Sequence, residues 1–423
     1  MRWSSSGRNL PINRESRVRI TMSSIRKHPA YRVILWALMI LCLIMIWRMN
    51  KSILNESSRI SSQDYSQFWA AGRLNRSGEN PYSPEKINEI KSQLSGLDEA
   101  TQVVAIAYNP PWALPVFMLF SLVEYSISRL AWLILSIVIL IYCANRLWLA
   151  YGGSERRRWV PLLVAFTLGP TFLLLRQGQL TPLVLLGIVG FLHQVESRSN
   201  DWLAGAFAAL VSVKPQLFFL FWIALLFWVI HRKRWRVLLG LGLTLGVFTL
   251  IGMVFNRLLL SQSLPTVLNY RPTVWFTPTI GSYMRMVFGL EKVWMQFVPP
   301  LIGMLWFLHR WESHRKSWVW PAELPSLLFV SLLTMSFGWT YDYVLLYAVT
   351  IPVAAMMIRS ESRRRIALVA SAYFMVNLVY MGAHIHYKEE YLGWFLPILG
   401  LIYLLARRTR ISDHPAEQAT MES

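Results

Sequence analysis

Acidic residues are scarce in this chain of 423 residues: 22 Asp and Glu stand against 42 Lys and Arg, and charged residues make up only 15% of the total. A soluble chain of this length carries roughly a quarter charged residues, so a large water-facing surface is excluded. Cysteine is almost absent. Cys42 and Cys143 both lie in apolar runs, which excludes a disulfide framework. The signatures of common soluble chemistries are missing as well. There is no phosphate-binding P-loop, no GxGxxG, no HExxH and no Cys/His spacing that holds a metal. Nothing points to a serine nucleophile with its triad, and no internal repeat of the kind that builds transporters is evident. No metal and no cofactor are expected.

What the chain has in abundance is apolar sequence. It is 55% hydrophobic, and runs of membrane-spanning length recur from end to end. Only helices satisfy their backbone in such runs within lipid, so the fold class is all-α, a polytopic transmembrane bundle. The aromatic content of 14%, with 20 Trp, fits interfacial belts. The net charge of +20 does not call for nucleic acid, because the cations cluster in short loops between apolar runs, as the positive-inside rule predicts. Those loops are 156–158, 231–236, 309–316 and 359–365.

Three parts are expected: a basic cytoplasmic arm over 1–32, one membrane domain over 33–406, and a cytoplasmic tail over 407–423. The first span, 33–47, lacks a small-residue cleavage site after it and is read as uncleaved. Further spans are expected at 130–150, 159–175, 180–194, 201–213, 215–230, 237–256, 293–308, 319–337, 341–358, 366–382 and 391–406, about twelve in all (11–13) with both termini inside. The 201–213 run is short for a straight crossing and needs a thinned bilayer, protein neighbours or a break at Pro215. Residues 50–108 form a long, charge-balanced outer loop with a short surface helix over 85–100. The apolar stretch 109–123 is short, holds Pro110, Pro111 and Pro115, and is read as juxtamembrane or re-entrant.

The alternation of spans places every unusual polar cluster on the non-cytoplasmic side. These clusters are Asp64, Arg176-Gln177-Gly178-Gln179, Lys214-Pro215-Gln216, Arg271 and Arg285, Trp339-Thr340-Tyr341-Asp342, and His384 with His386. Each has a bland alternative. Asp64 can be a solvated loop residue, Lys214 and Arg176 can snorkel, the histidines can be interfacial, and Asp342 can pair with a neighbouring cation. Their convergence on one face is the signal, because ionisable groups at membrane depth are costly and face a cavity or a partner. The outer loop 257–292 carries Arg257, Arg271, Arg285 and Lys292 against Glu291 alone. Cations kept there against the positive-inside pattern point to an anionic ligand such as a phosphate, unless a longer structured loop simply tolerates the charge.

Several stretches, in this order and spacing, resemble glycosyltransferase family 87, polytopic enzymes of GT-C fold best known as polyprenyl-phosphate-mannose-dependent α-mannosyltransferases. They are Asp64-Tyr65 with Phe68-Trp69-Ala70-Ala71-Gly72, Asn80-Pro81-Tyr82, Tyr108-Asn109-Pro110-Pro111, Gly178-Gln179-Leu180-Thr181-Pro182, Ala204-Gly205 leading to Lys214-Pro215, and Tyr341-Asp342-Tyr343. The resemblance covers about residues 60–350 and leaves out the basic arm and the tail. It implies inverting transfer of a hexose, mannose by default, from a polyprenyl-phosphate sugar to a lipid or glycan acceptor at the outer face of the plasma membrane. Asp64 occupies the place of the family's catalytic base. Arg176, Lys214, Arg271 and Arg285, at outward span ends, are the candidates to hold the donor phosphate. Tyr65, Phe68, Trp69, Asn109, Gln179, Tyr341, Asp342 and His384 are the candidate sugar and acceptor pocket. The alternative is a transporter or flippase of a lipid-linked sugar. That would place its charges at the bilayer midplane, on broken helices from paired repeats, rather than at one face.

The charge pattern makes a topological prediction. The loop 50–108 and the turns 176–179 and 214–216 lie outside, and 156–158 and 231–236 inside. A cysteine at position 157 is then labelled by an impermeant reagent only from the cytoplasmic side. Labelling of that position from outside intact cells overturns the scheme.

Overall fold

The computed structural model describes residues 64–95, 107–197, 199–269 and 276–407, with isolated positions between 33 and 44. The basic arm, most of the first span, Arg271 and the tail beyond 407 lie outside the described residues. Every regular element among those described is helical. In chain order the α-helices are α1 (Asp64–Arg76), α2 (Pro84–Ser95), α3 (Leu114–Phe120), α4 (Tyr125–Ala150), α5 (Trp159–Phe166), α6 (Gly169–Gln177), α7 (Thr181–Ser197), α8 (Asp201–Val211), α9 (Phe219–Arg232), α10 (Trp235–Phe255), α11 (Leu259–Asn269), α12 (Ile280–Phe288), α13 (Val298–His314), α14 (Trp320–Thr334), α15 (Tyr347–Ser360), α16 (Arg363–His386) and α17 (Phe395–Arg407). The 3₁₀ turns Thr340–Leu346 and Glu389–Leu392 lead into α15 and α17.

Five helical segments are long and apolar enough to cross a bilayer: Tyr125–Ala150, Trp235–Phe255, Thr340–Ser360, Arg363–His386 and Glu389–Ala406. The pair Glu155–Phe166 and Gly169–Gln177, bent by 69°, makes a sixth if it is one span. The expected 159–175 crossing is this broken pair. Pro170 opens α6, where it lacks only an N–H that has no helical partner in any case, and the buried Asn377 side chain accepts from the Gly169 N–H at 2.8 Å. Shorter helices α7, α8, α9, α13 and α14 occupy the other expected positions. The 109–123 stretch forms a 3₁₀ turn and α3. Its helical part, Pro111–Phe120, is too short to span. The surface helix expected over 85–100 is α2.

The outward faces are apolar, as lipid requires. On α10 the exposed Leu239, Leu243, Val247, Leu250 and Val254 recur at three- and four-residue spacing. Its opposite face meets α8 through small residues. A Cβ on Gly205 would lie 2.1 Å from the Val237 carbonyl oxygen, and one on Gly240 would lie 2.3 Å from that of Trp202. Such small-residue contacts let helix backbones touch, which is how helices associate when lipid offers no hydrophobic drive.

The site region is set by one turn. Gly178 ends α6 in the left-handed conformation, φ 66° and ψ 39°, and its carbonyl accepts from Trp132 Nε1 at 2.9 Å. A Cβ there would stand 2.7 Å from the Tyr65 Cβ. The bare backbone therefore lets the first turn of α1 approach the α6–α7 junction. Gly178→Ala adds about 1–2 kcal/mol of left-handed strain and about 1–3 kcal/mol of overpacking. We expect a lowered melting temperature in detergent and loss of activity. Unchanged unfolding would contradict this role.

Candidate active site

The Lys214 side chain lies in the turn between α8 and α9 and is 12% exposed, and its ion-pair partner Asp342 is 3% exposed. The ammonium donates to Asp342 Oδ1 at 2.8 Å, Gln179 Oε1 at 2.7 Å and Thr181 Oγ1 at 3.3 Å. An ammonium has three protons, so each has an acceptor in the protein. Lys214 Nζ also stands 5.0 Å from the centre of the Tyr341 ring. Thr181 Oγ1 donates to the same Asp342 oxygen at 2.5 Å. The other oxygen, Oδ2, accepts from the Trp339 N–H at 3.3 Å and caps the 340–346 turn. Lys214 therefore does not snorkel, and Asp342 does pair with a cation.

Gln179 carries the chain of contacts on to Asp64. Its amide oxygen faces Lys214, and its Nε2 donates to Asp64 Oδ2. Asp64 opens α1 and remains partly exposed. Burial raises its proton affinity, and the nearby Asp342 charge adds to that. The Lys214 and Lys91 charges and the Gln179 hydrogen bond oppose the rise, and the balance leaves the carboxyl above its ordinary value of 3.8. Tyr341 also reaches Asp64. A carboxylate tuned in this way accepts a proton more readily than a solvated one.

The remaining expected residues divide. Arg176 lies close enough to His384 for its charge to act on that ring. The His384 ring stacks on Tyr380 at 6.4 Å, and the Tyr380 hydroxyl donates to Thr340 Oγ1 at 2.7 Å. Arg285 is buried away from these contacts, within the fold of its own loop. Its guanidinium donates to the Leu290 carbonyl at 2.7 and 3.1 Å and to Gln296 Oε1 at 3.5 Å. Asn109 is 8% exposed, and its carbonyl accepts from the Tyr82 hydroxyl at 3.2 Å.

Three aromatics expected in the pocket are core residues instead. Tyr65, Phe68 and Trp69 are 0%, 4% and 4% exposed. Tyr65 stacks on Trp132 and bonds Ser128 Oγ at 2.6 Å. Phe68 packs on Phe117, and Trp69 meets Tyr125 edge-on and donates to the Val123 carbonyl. Their rings pack against protein.

Four residues were not singled out from the sequence. Thr181 lay within a quoted stretch but was not assigned. Arg129 stood just before an expected span. In the structure it donates to the Leu175 and Arg176 carbonyls at 2.6 and 2.9 Å, closing the C-terminus of α6, and stacks on Tyr65. Glu389 accepts from the Thr340 N–H and hydroxyl, both at 2.6 Å, and lies within the fields of Asp342 and Asp64. Lys91 was counted only as one charge of a balanced loop. Among the described residues, no group of three His, Cys, Asp or Glu side chains is placed to hold a metal ion.

The sequence profile of glycosyltransferase family 87 matches residues 108–382. The chain belongs to glycosyltransferase family 87. It is a multi-pass membrane glycosyltransferase, which decides for an enzyme over a transporter. No curated protein and no solved structure matches the chain. The family 87 match contains Gln179, Thr181, Lys214, Tyr341 and Asp342, while Asp64 and Lys91 precede it and Glu389 follows it.

Lys214, expected as a ligand of the donor phosphate, is engaged with Asp342, Gln179 and Thr181. Breaking a buried pair by removing one partner costs about 3–5 kcal/mol. Lys214→Met should therefore lower the melting temperature sharply, and adding Asp342→Asn should restore part of the loss by removing the stranded charge. A Lys214→Met protein as stable as wild type would contradict the pairing.

Proposed function

We propose that this family 87 enzyme transfers a hexose, with mannose the default, from a polyprenyl-phosphate sugar to a lipid or glycan acceptor, with inversion and with Asp64 as general base. In this reading 1–32 is a cytoplasmic arm and 33–406 a single membrane domain in the plasma membrane, with the site at the outer face. The observation that carries it is the setting of Asp64. It is a partly exposed carboxylate, raised by burial yet held by Gln179 beside an ion-paired lysine. The Gln179, Lys214 and Asp342 stretches all fall where the charge pattern puts the outer ends of spans.

The chemistry requires one proton acceptor. The acceptor hydroxyl oxygen attacks the anomeric carbon while Asp64 takes its proton. The bond from that carbon to the phosphate oxygen breaks, and its electron pair leaves with the phosphate. A phosphate departs as a stabilised anion, so it needs cations nearby rather than a paired general acid, unlike an ordinary glycoside. Asp342 suits the base role less well, since its oxygens hold Lys214, Thr181 and the Trp339 N–H. The chain offers its own cations to the phosphate, Arg176 among them.

Asp64→Asn keeps the shape and removes the basic oxygen, so turnover should fall at least ~100-fold with donor binding nearly intact. Initial rates with radiolabelled polyprenyl-phosphate sugars, alongside donor binding, check this. A folded Asp64→Asn protein that binds donor and transfers sugar at a near wild-type rate hands the role to Asp342.

A further inference from the structure

A departing phosphate beside Asp64 needs a cation with protons to give. Lys214 already donates to three protein acceptors, and Arg129 and Arg285 hold backbone carbonyls. Lys91 differs from all of them. It lies on α2, whose Ile87 and Ile90 pack with Leu74 of α1 and Tyr82. That packing draws the Lys91 side chain inward until the residue is 8% exposed. Among the described residues it makes no ion pair and donates no hydrogen bond. Its field nevertheless reaches Asp64, where it is the second of two cations acting on the carboxylate. Most of this side chain is packed against protein while its ammonium donates to no described residue, so its protons remain available to an anion.

We propose that Lys91 is a ligand of the donor's phosphate, reaching it from α2 while Asp64 works on the acceptor side of the anomeric carbon. The inference rests on the reading of Asp64 as the site of transfer. The ammonium supplies three donors to phosphate oxygens. As the bond to the anomeric carbon breaks, the phosphate gains negative charge and its attraction to Lys91 grows. Lys91 therefore favours the transition state over the bound donor, and its loss lowers turnover as well as affinity. Burial lowers the proton affinity of Lys91 and the Asp64 charge raises it. A bound phosphate adds to the second effect and keeps the ammonium charged.

The test is binding of sugar-free polyprenyl phosphate to the purified full-length protein, beside its rate of sugar transfer. Lys91→Met and Lys91→Gln should each weaken binding at least tenfold and slow transfer further at saturating donor, with unfolding close to wild type. Lys91→Arg should retain binding to within a few fold. Lys86→Met, which removes an exposed lysine of the same helix paired with Glu79, should change nothing. Loss of the Lys91 charge should also move the acid limb of the pH–rate profile to higher pH, since one of the cations opposing the rise at Asp64 is gone. If wild type binds polyprenyl phosphate and Lys91→Gln binds it equally well, the inference is wrong even if the limb moves, and Lys91 only tunes Asp64. If wild type transfers sugar but does not bind polyprenyl phosphate, the lipid-phosphate donor itself is wrong and the ligand role falls with it.

Discussion

One buried ammonium holds the site together. Lys214 ties the turn before α9 to the α6–α7 junction through Gln179 and Thr181, and to the 340–346 turn through Asp342. Gln179 passes the constraint to Asp64 at the start of α1. Four stretches distant in sequence thereby meet at one point. Such a pair is a weak source of net stability, because desolvating both charges offsets most of their attraction. Its value here is geometric. With all three protons of Lys214 engaged, the Gln179 amide has one orientation in which its oxygen faces the lysine and its nitrogen faces Asp64.

The electrostatics follow from that arrangement. Burial raises the Asp64 carboxyl, and two lysines and one amide N–H oppose the rise. The carboxyl stays raised, which suits a group that takes a proton in one step and releases it in the next. Asp342 contributes through its position and its charge. It fixes Lys214 and caps its own turn, which places Tyr341 under the lysine and against Asp64. Sequence neighbours thus serve the site through different atoms: the Asp342 carboxylate anchors, and the Tyr341 ring shapes.

Much of this was legible in the sequence because lipid imposes simple rules. Apolar runs became helices near their expected positions, the short α8 among them, whereas the bend before Gly169 was not read from the sequence. The convergence of Gln179, Lys214 and Asp342 on one face followed from charge alternation alone. What residue type could not reveal was who touches whom. Tyr65, Phe68 and Trp69 flank an acid in a loop and read as a sugar platform. However, α1 is embedded among α3 and α4, and its aromatics fill the core. Lys214 and Asp342 each read as a site residue, but their separation in sequence hides the pairing that occupies them. Glu389 and Arg129 sit at helix ends where charge is ordinary. Lys91 was masked by a balanced loop, since only packing shows that its side chain turns inward.

The central claim is that the raised carboxyl of Asp64 takes the proton. The most direct measurement is kcat/KM against pH for wild type and for the residual activity of Asp64→Asn. Transfer requires the ionised form, so the rate should fall as pH drops through the Asp64 value. That limb should lie above the ordinary carboxylate value of 3.8 and be absent from Asp64→Asn, whose small residual rate should be flat across it. A limb that persists unchanged in Asp64→Asn would contradict the account and place the titrating base elsewhere.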